Sequence, residues 1–450
     1  MELLPISKLE DPGIYSMRVL WFTNCPLLPV TRHLVVAATV SGGWMGSLAS
    51  ALHSYPDLDL GAVSTSETDY PTFEADGVQY FNVHSLAAHG SMAAIYRRWF
   101  PDVEVTAGVR KCLEIIETFK PDVIHIHGTE EYYGLLSEKT SVPIVISVQG
   151  ILALCELFYY GGFSCKDKLR DAFSFQFLRG VGLFHQHRYM KKLAGRERQI
   201  FKSCDHFIGR TQFDRDFVGL MNPDAAYYHC DEILRPVFYS REWCSPRSSK
   251  FTIFCISSGP APLKGLDCLF HACKILKSNG IDNIELRIAG PIQNAPTWHI
   301  LRRKIREPEL SPDMVWLGPS SAETIASELE RSNAFVLPSY VENSPNSLAE
   351  AMLIGTPCVA ASAGGVPSLL THGKDGLLFQ PGDAYSLAGL LARIRQEPSL
   401  ARSLSENAKT TARARHNPKK VVARMMEIYA AVRNHSLHEN NRYTNEATHP

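Results

Sequence analysis

The residues best placed to do chemistry fall in one stretch, Val336–Pro357 (VLPSYVENSPNSLAEAMLIGTP). It reads as a strand, a loop and a helix. Ser344 suits the N-cap and Pro345 the first helical position, while Gly355 and Pro357 end the helix. The amides of Asn346 and Ser347 then point out of a helix N-terminus at the carboxyl end of a strand, where open α/β sheets bind anions. Two carboxylates bracket that point. Glu342 lies in the loop and Glu350 about two turns inside the helix, an E-x7-E spacing that lets one reach over a bound anion and the other alongside it.

Three further segments add to this pattern. Pro262-Leu263-Lys264-Gly265 opens a helix after a strand, and a Lys there acts as a point charge on a phosphate. Ala363-Gly364-Gly365-Val366-Pro367 is a glycine pair where backbone must turn sharply or approach closely, and Asp375–Phe379 (DGLLF) and Pro381-Gly382-Asp383 follow. Near the start, Ser41-Gly42-Gly43-Trp44 follows the first strand and opens a helix. This is not G-x-G-x-x-G, so a dinucleotide oxidoreductase loses its main support.

The elements that must position these residues alternate between short apolar runs and helical stretches, the mark of βαβ units and parallel sheets. One series comprises Met17–Thr23, Asp59–Ser64, Val78–His84, Asp122–His127, Pro143–Val148 and His206–Arg210. The second comprises Phe251–Ser257, Ile284–Gly290, Met314–Gly318, Asn333–Pro338 and Pro357–Ala361. Two α/β domains are expected, 1–240 and 241–415, with Arg235–Pro246 as the linker, a last helix over 416–435, and a polar, disordered tail over 436–450. Lys166–Cys204 is expected to be one long basic helical stretch, either a solvated face or a surface for anionic lipid. On Asp122–His127, His125 and His127 are expected to face opposite sides, leaving His127 alone for a site.

Composition sets limits. The chain has 450 residues, 46 Lys and Arg against 46 Asp and Glu, a balance without the chain-wide basic footprint of a nucleic-acid binder. No run reaches the roughly 18 apolar residues of a membrane-spanning helix. Met1–Ser16 lacks the charged-then-apolar build of a secretion signal, and the 11 cysteines are odd in number, with no C-x-x-C pair. A cytoplasmic protein with reduced thiols, rather than a disulfide framework or zinc site, is the expectation.

Taken together, Lys264-Gly265, Glu342 and Glu350 within ENSPNSLAEAM, LIGTP, the Gly364-Gly365 pair and DGLLF resemble the retaining glycosyltransferases of family 4. The resemblance implies the GT-B fold, two Rossmann-like, doubly wound parallel-sheet domains facing each other across a cleft. It implies transfer of a sugar from a UDP- or GDP-linked donor to a hydroxyl of a glycan or lipid-linked acceptor, with no metal or other cofactor. Lys264, the Asn346 and Ser347 amides and the Gly42-Gly43 loop would bind the donor diphosphate, Glu350 the ribose, and Glu342 the donor sugar near the reacting carbon. His127 and Gln149 would line the acceptor side, and the last helix would return to the first domain. The motifs around Ser41–Trp44, Val148–Gly150 and Glu342–Ser347 look like those of bacterial surface-polysaccharide enzymes.

The chain also departs from that family. Gly259 stands where many members have an Arg, which makes Arg210 a candidate replacement; Gln149 stands for a common His and Ser368 for a common Glu. Two other readings are a silent nucleotide-sugar-binding protein and a nucleotide-sugar epimerase, the latter set apart by product that forms without acceptor.

Overall fold

A computed structural model describes residues 16–34, 43–53, 55, 57–66, 68–84, 101–246, 248–257, 262–291, 298, 300, 301 and 314–446, the side chains of 101–104 and 436–446 excepted. The first sheet holds β1 (Met17–Thr23), β2 (Leu58–Ser66), β3 (Phe73–Ala75), β4 (Val78–His84), β5 (Val123–His127), β6 (Ile144–Ser147), β7 (His206–Gly209) and β8 (Ala226–His229). Its order is β3-β4-β2-β1-β5-β6-β7-β8. Every pairing is parallel except β3 with β4. That hairpin turns on Asp76-Gly77, both at positive φ, the Asp-Gly signature of a primed two-residue turn.

The second sheet holds β9 (Phe251–Ile256), β10 (Ile284–Ala289), β11 (Met314–Gly318), β12 (Ala334–Leu337), β13 (Cys358–Ala361) and β14 (Leu377–Phe379), in the order β11-β10-β9-β12-β13-β14, all parallel. Strands sandwiched between helices on both faces are apolar throughout. Val19–Phe22 and Ile253–Cys255 are accordingly fully buried.

In each sheet the winding reverses at one place. β1 has β2 on one side and β5 on the other; β9 has β10 on one side and β12 on the other. Crevices form where the connections leave in opposite directions, at the carboxyl ends of those strands. The loop after β9 carries Lys264, and the loop after β12 carries Glu342.

The chain then crosses back. The last helix, Pro418–Glu446, sets Val421, Val422, Met425, Ile428, Tyr429 and Val432 into one core with Val19 and Trp21 of β1 and Met45 and Leu48 of the helix Gly43–Leu52. Tyr429 fixes it there. Its Oη accepts from Trp21 Nε1 at 2.9 Å and meets His125 Nδ1 at 2.8 Å, while His125 Nε2 meets Ser147 Oγ at 2.7 Å.

Some expectations shift. The Asn346 helix begins one residue later than its sequence suggests: Pro345, at ψ 109°, is the N-cap and Asn346 the first helical residue. Residues 166–204 are not one helix but three, Cys165–Ala172, Phe175–Leu178 and Leu183–Ser203, because the Ser164 and Ser174 hydroxyls each cap a new start. Helix extends past 435 to Glu446, into the stretch expected to be disordered, and 447–450 lie outside the described residues. His125 and His127 share a face, since residues two apart on a strand project to the same side, and their rings lie 3.9 Å apart.

Candidate active site

Gly265 lets the β9 loop enter the crevice. Its φ is +65°, and a Cβ there would stand 1.9 Å from the Pro338 carbonyl oxygen, so only glycine brings this turn against the end of β12. The close approach delivers Lys264 to Glu342, Nζ to Oε1 at 2.6 Å, with Ser339 Oγ donating to the same oxygen at 2.7 Å. Burial alone would lower the Lys264 pKa; the adjacent carboxylate outweighs it and raises the pKa, keeping the ammonium charged. The glycine pair serves the same loop from the other side. A Cβ on Gly364 would meet the Glu342 carbonyl oxygen, and one on Gly365 the Asn343 carbonyl oxygen, each at 2.1 Å. These glycines therefore shape the carboxylate loop through backbone contact.

Glu350 is buried inside its helix, 4% exposed. Burial pushes its pKa up and Arg235 opposes the shift. The contact is bidentate: Arg235 Nε donates to Oε1 and Nη2 to Oε2, both at 2.8 Å. Arg235 belongs to the stretch expected to be a plain linker. It also meets the first domain, since a Cβ on Gly43 would lie 2.6 Å from Arg235 Cδ. Gly43, Arg235 and Glu350 thus bring the glycine loop, the linker and the second domain to one point. Gly42 lies outside the described residues, as does Gly259.

The N-terminus of the Asn346 helix faces a second charged group. The Asn346 and Ser347 amides have no intrahelical acceptor. Arg210, 3% exposed, does not stand open there: Nη2 pairs with Glu232 Oε1 at 2.8 Å, Nη1 donates to the Val148 carbonyl at 2.9 Å, and the guanidinium lies 5.0 Å over the Trp44 ring. Burial pushes the Glu232 carboxyl up to about 7, with Arg210 and the nearby Asn346 side chain opposing it.

Between the domains, Asn343 acts as a pin. Thr211 Oγ1 donates to its Oδ1 at 2.8 Å, and its Nδ2 donates to Asp214 Oδ2 at 3.0 Å and the Val148 carbonyl at 3.3 Å. Ser368 accepts from the Gln212 amide at 3.1 Å through its Oγ. Arg415 donates to the Ser368 carbonyl and Asp231 Oδ1, each at 2.6 Å, and to the Arg210 carbonyl.

The acceptor-side residues adjoin this cluster through Trp44 and Val148. Gln149 Oε1 accepts from Asn24 Nδ2 at 3.2 Å, and the same amide reaches Glu130 Oε2 at 3.4 Å. Burial, with the Glu197 charge adding to it, brings the Glu130 carboxyl to about 7. His127 is 1% exposed, packed between Trp21 at 4.5 Å and Trp44 at 5.4 Å, and neither ring nitrogen has a hydrogen-bond partner among the described residues. Burial holds its pKa well below the usual histidine value.

Sequence reasoning missed Arg235, Asn343, Glu232, Arg415 and Glu130. Of these only Asn343 carries a signal, as the second residue of ENSPNS. Among the described residues no group of three His, Cys, Asp or Glu could hold a metal, no helix is long and apolar enough to cross a membrane, and all eleven cysteines are free.

Residues 245–411 match the family model described as glycosyl transferases group 1. Over these residues the second unit is similar to the group 1 glycosyl transferases. The fold around it is GT-B, shared with sucrose-phosphate synthase from Thermosynechococcus elongatus (TM-score 0.69, 16% identity, covering 92% of this chain and 99% of that one). It is shared too with Anabaena HepE, solved in complex with UDP and glucose (TM-score 0.62, 16% identity, 92% and 99% covered). Among curated relatives, the amylovoran biosynthesis glycosyltransferase AmsK of Erwinia amylovora is 33% identical over 139 residues, 30% of this chain and 33% of that protein. The match thus spans a third of AmsK's length. The D-inositol 3-phosphate glycosyltransferase of Pseudarthrobacter chlorophenolicus is 22% identical over 321 residues, 70% of this chain and 72% of that one. In this GT-B frame Lys264, Glu342 and Glu350 lie in the segment that matches the group 1 model, Arg235 lies just before it, and Gly43 of the opposite domain presses on Arg235.

Proposed function

We propose that this chain is a retaining glycosyltransferase that moves a sugar from a UDP- or GDP-linked donor to a hydroxyl of a glycan or glycolipid, in the cytoplasmic assembly of bacterial surface polysaccharide. The observation that carries this reading is that Lys264 meets Glu342 in the loops after β9 and β12, while Arg235, pressed by Gly43, holds Glu350 in the helix that opens at Asn346 and Ser347. UDP-bound HepE and the polysaccharide enzyme AmsK, as relatives in fold and in sequence, support it.

The slow event in such a transfer is departure of a diphosphate from a carbon that becomes oxocarbenium-like. Negative charge builds on the leaving oxygens, and donors fixed in advance are worth most there. Lys264 and the helix amides would supply them without a metal. Glu342, freed from Lys264 by the incoming phosphate, would turn to the donor sugar. Glu350, oriented by Arg235, would accept from the ribose hydroxyls, since each carboxylate oxygen has a second lone pair. The bond from the anomeric carbon to phosphate oxygen breaks, the acceptor oxygen bonds on the same face, and its proton passes to the leaving diphosphate.

Calorimetric titration with UDP, GDP, ADP and their sugar conjugates tests the donor site. One nucleotide should bind tightly to the wild type and weakly to Lys264→Ala. No binding of any at millimolar concentration overturns the reading, and product formed without acceptor marks an epimerase instead.

A further inference from the structure

The exposed apolar side chains of this protein are not scattered. Leu169, Phe173, Phe175, Leu178 and Phe184, between 55% and 85% exposed, lie within sixteen residues, on or beside the mutually packed helices Cys165–Ala172, Phe175–Leu178 and Leu183–Ser203. Leu157, 70% exposed, and Phe158 sit just upstream. Single exposed apolar residues are ordinary, but a cluster of this kind marks a contact surface.

Its charge points to one partner. Between 157 and 192 the sequence has seven Lys and Arg, and its only carboxylates are Asp167 and Asp171. Both carboxylates are turned inward. Asp167 accepts from the Ser164 amide at 3.0 Å, and Asp171 accepts from the Leu183 amide at 2.7 Å. Lys166, Lys168, Arg179, Arg188 and Lys191 are exposed. Lys168 lies 4.3 Å over the Tyr160 ring and Arg179 5.7 Å over the Phe175 ring, so cations and aromatic faces are interleaved. The surface offers Phe and Leu tips set in positive charge, the composition that enters the headgroup layer of an anionic bilayer.

The patch is joined to the cleft. The loop between Leu157 and Cys165 presses on the second domain, where a Cβ on Gly161 would lie 2.7 Å from the Pro262 carbonyl oxygen and one on Gly162 2.3 Å from Tyr340 Oη. Pro262 opens the turn that ends at Lys264.

We infer that residues 157–192 dock the protein on an anionic bilayer, holding the cleft mouth at the membrane surface. The choice of a membrane-borne acceptor rests on the transfer reading above; the docking itself does not. Sedimentation of the full chain with vesicles tests it. Wild type should bind phosphatidylglycerol–phosphatidylcholine vesicles about tenfold more strongly than phosphatidylcholine alone. Phe173→Ser, Phe175→Ser and Leu178→Ser together should abolish that binding, and so should Lys166→Glu with Arg179→Glu. UDP affinity, measured beside it, should stay at the wild-type level in both variants, so that failure at the donor site is read separately. Absence of vesicle binding by the wild type, or full binding by either variant, overturns the inference. So does a wild-type dimer that the serine variant dissociates and that does not bind vesicles.

Discussion

Arg235 holds Glu350 with two parallel hydrogen bonds of 2.8 Å across 115 positions of sequence. One residue leads into the second domain, and the other lies within a helix of it. The pair is tight because burial of Glu350 removes competing water, and the guanidinium fork matches a carboxylate in both spacing and plane. Arg235→Ala would strand a buried carboxylate, at a cost of about 3 kcal/mol. Lys at 235 would not restore the geometry. Denaturant unfolding of Arg235→Ala, Arg235→Lys and Glu350→Gln should rank both Arg235 variants below Glu350→Gln. Wild-type stability in Arg235→Lys would refute the bidentate account.

Gly43 and Arg235 should be coupled. In the wild type, Gly43→Ala pushes a methyl group toward a side chain fixed by Glu350, a cost of about 1–2 kcal/mol. In the Arg235→Ala background the obstacle is gone, and alanine favours the helix over glycine, so the same change should be neutral or better. A double-mutant cycle by denaturation reads the difference directly. Equal costs in both backgrounds would show that the two residues do not press on each other in solution.

On the transferase reading, Lys264→Ala should lower kcat/KM for the donor by about 100- to 1000-fold, the usual loss when one donor to a developing oxyanion is removed. Steady-state kinetics with saturating acceptor would measure it. A loss below tenfold would move the diphosphate site away from Lys264.

His125 should govern acid stability. Burial, with the Arg210 charge adding to it, lowers its pKa to about 3, while an unfolded histidine titrates near about 6.5. Between those values the unfolded chain takes up a proton that the folded chain refuses. The contribution is therefore intact above about 6.5 and is lost as pH falls toward 3, by roughly 1 kcal/mol per unit. His125→Asn, which does not titrate, should flatten the acid limb of a plot of melting temperature against pH. An unchanged limb would assign acid unfolding to other groups, His416 first, whose pKa burial lowers to about 4.

How much of this was open to a reader of the sequence depends on range. Strands buried on both faces announce themselves as largely apolar runs, so eleven of the fourteen observed strands fall where such runs occur. The hairpin strand Phe73–Ala75 and the edge strand Leu377–Phe379 have three residues each, too short for that signal, and the edge strand Ala226–His229 lacks it because it is partly exposed along its length. Lys264, Glu342 and Glu350 were legible because the loop, the helix start and the glycines that shape them lie in short motifs. Arg235 was not: a lone arginine in a proline-containing connection has no pattern, and its partner lies more than a hundred positions away. The same holds for Arg210, whose capture by Glu232 depends on how two chain segments lie side by side.

The return of the last helix to the first domain has a consequence for how the protein is made. Trp21 and Tyr429 share one core across 408 positions, so Ile428 and Tyr429, which complete it, are translated long after Val19 and Trp21. This core of the first domain therefore cannot close until the second domain has been translated. It must wait, with an apolar groove open, until the second domain has been made and has folded, and in that interval it is a substrate for chaperones. A nascent chain stalled before Pro418 should expose this groove, so ribosome-bound intermediates would be the species most prone to aggregate.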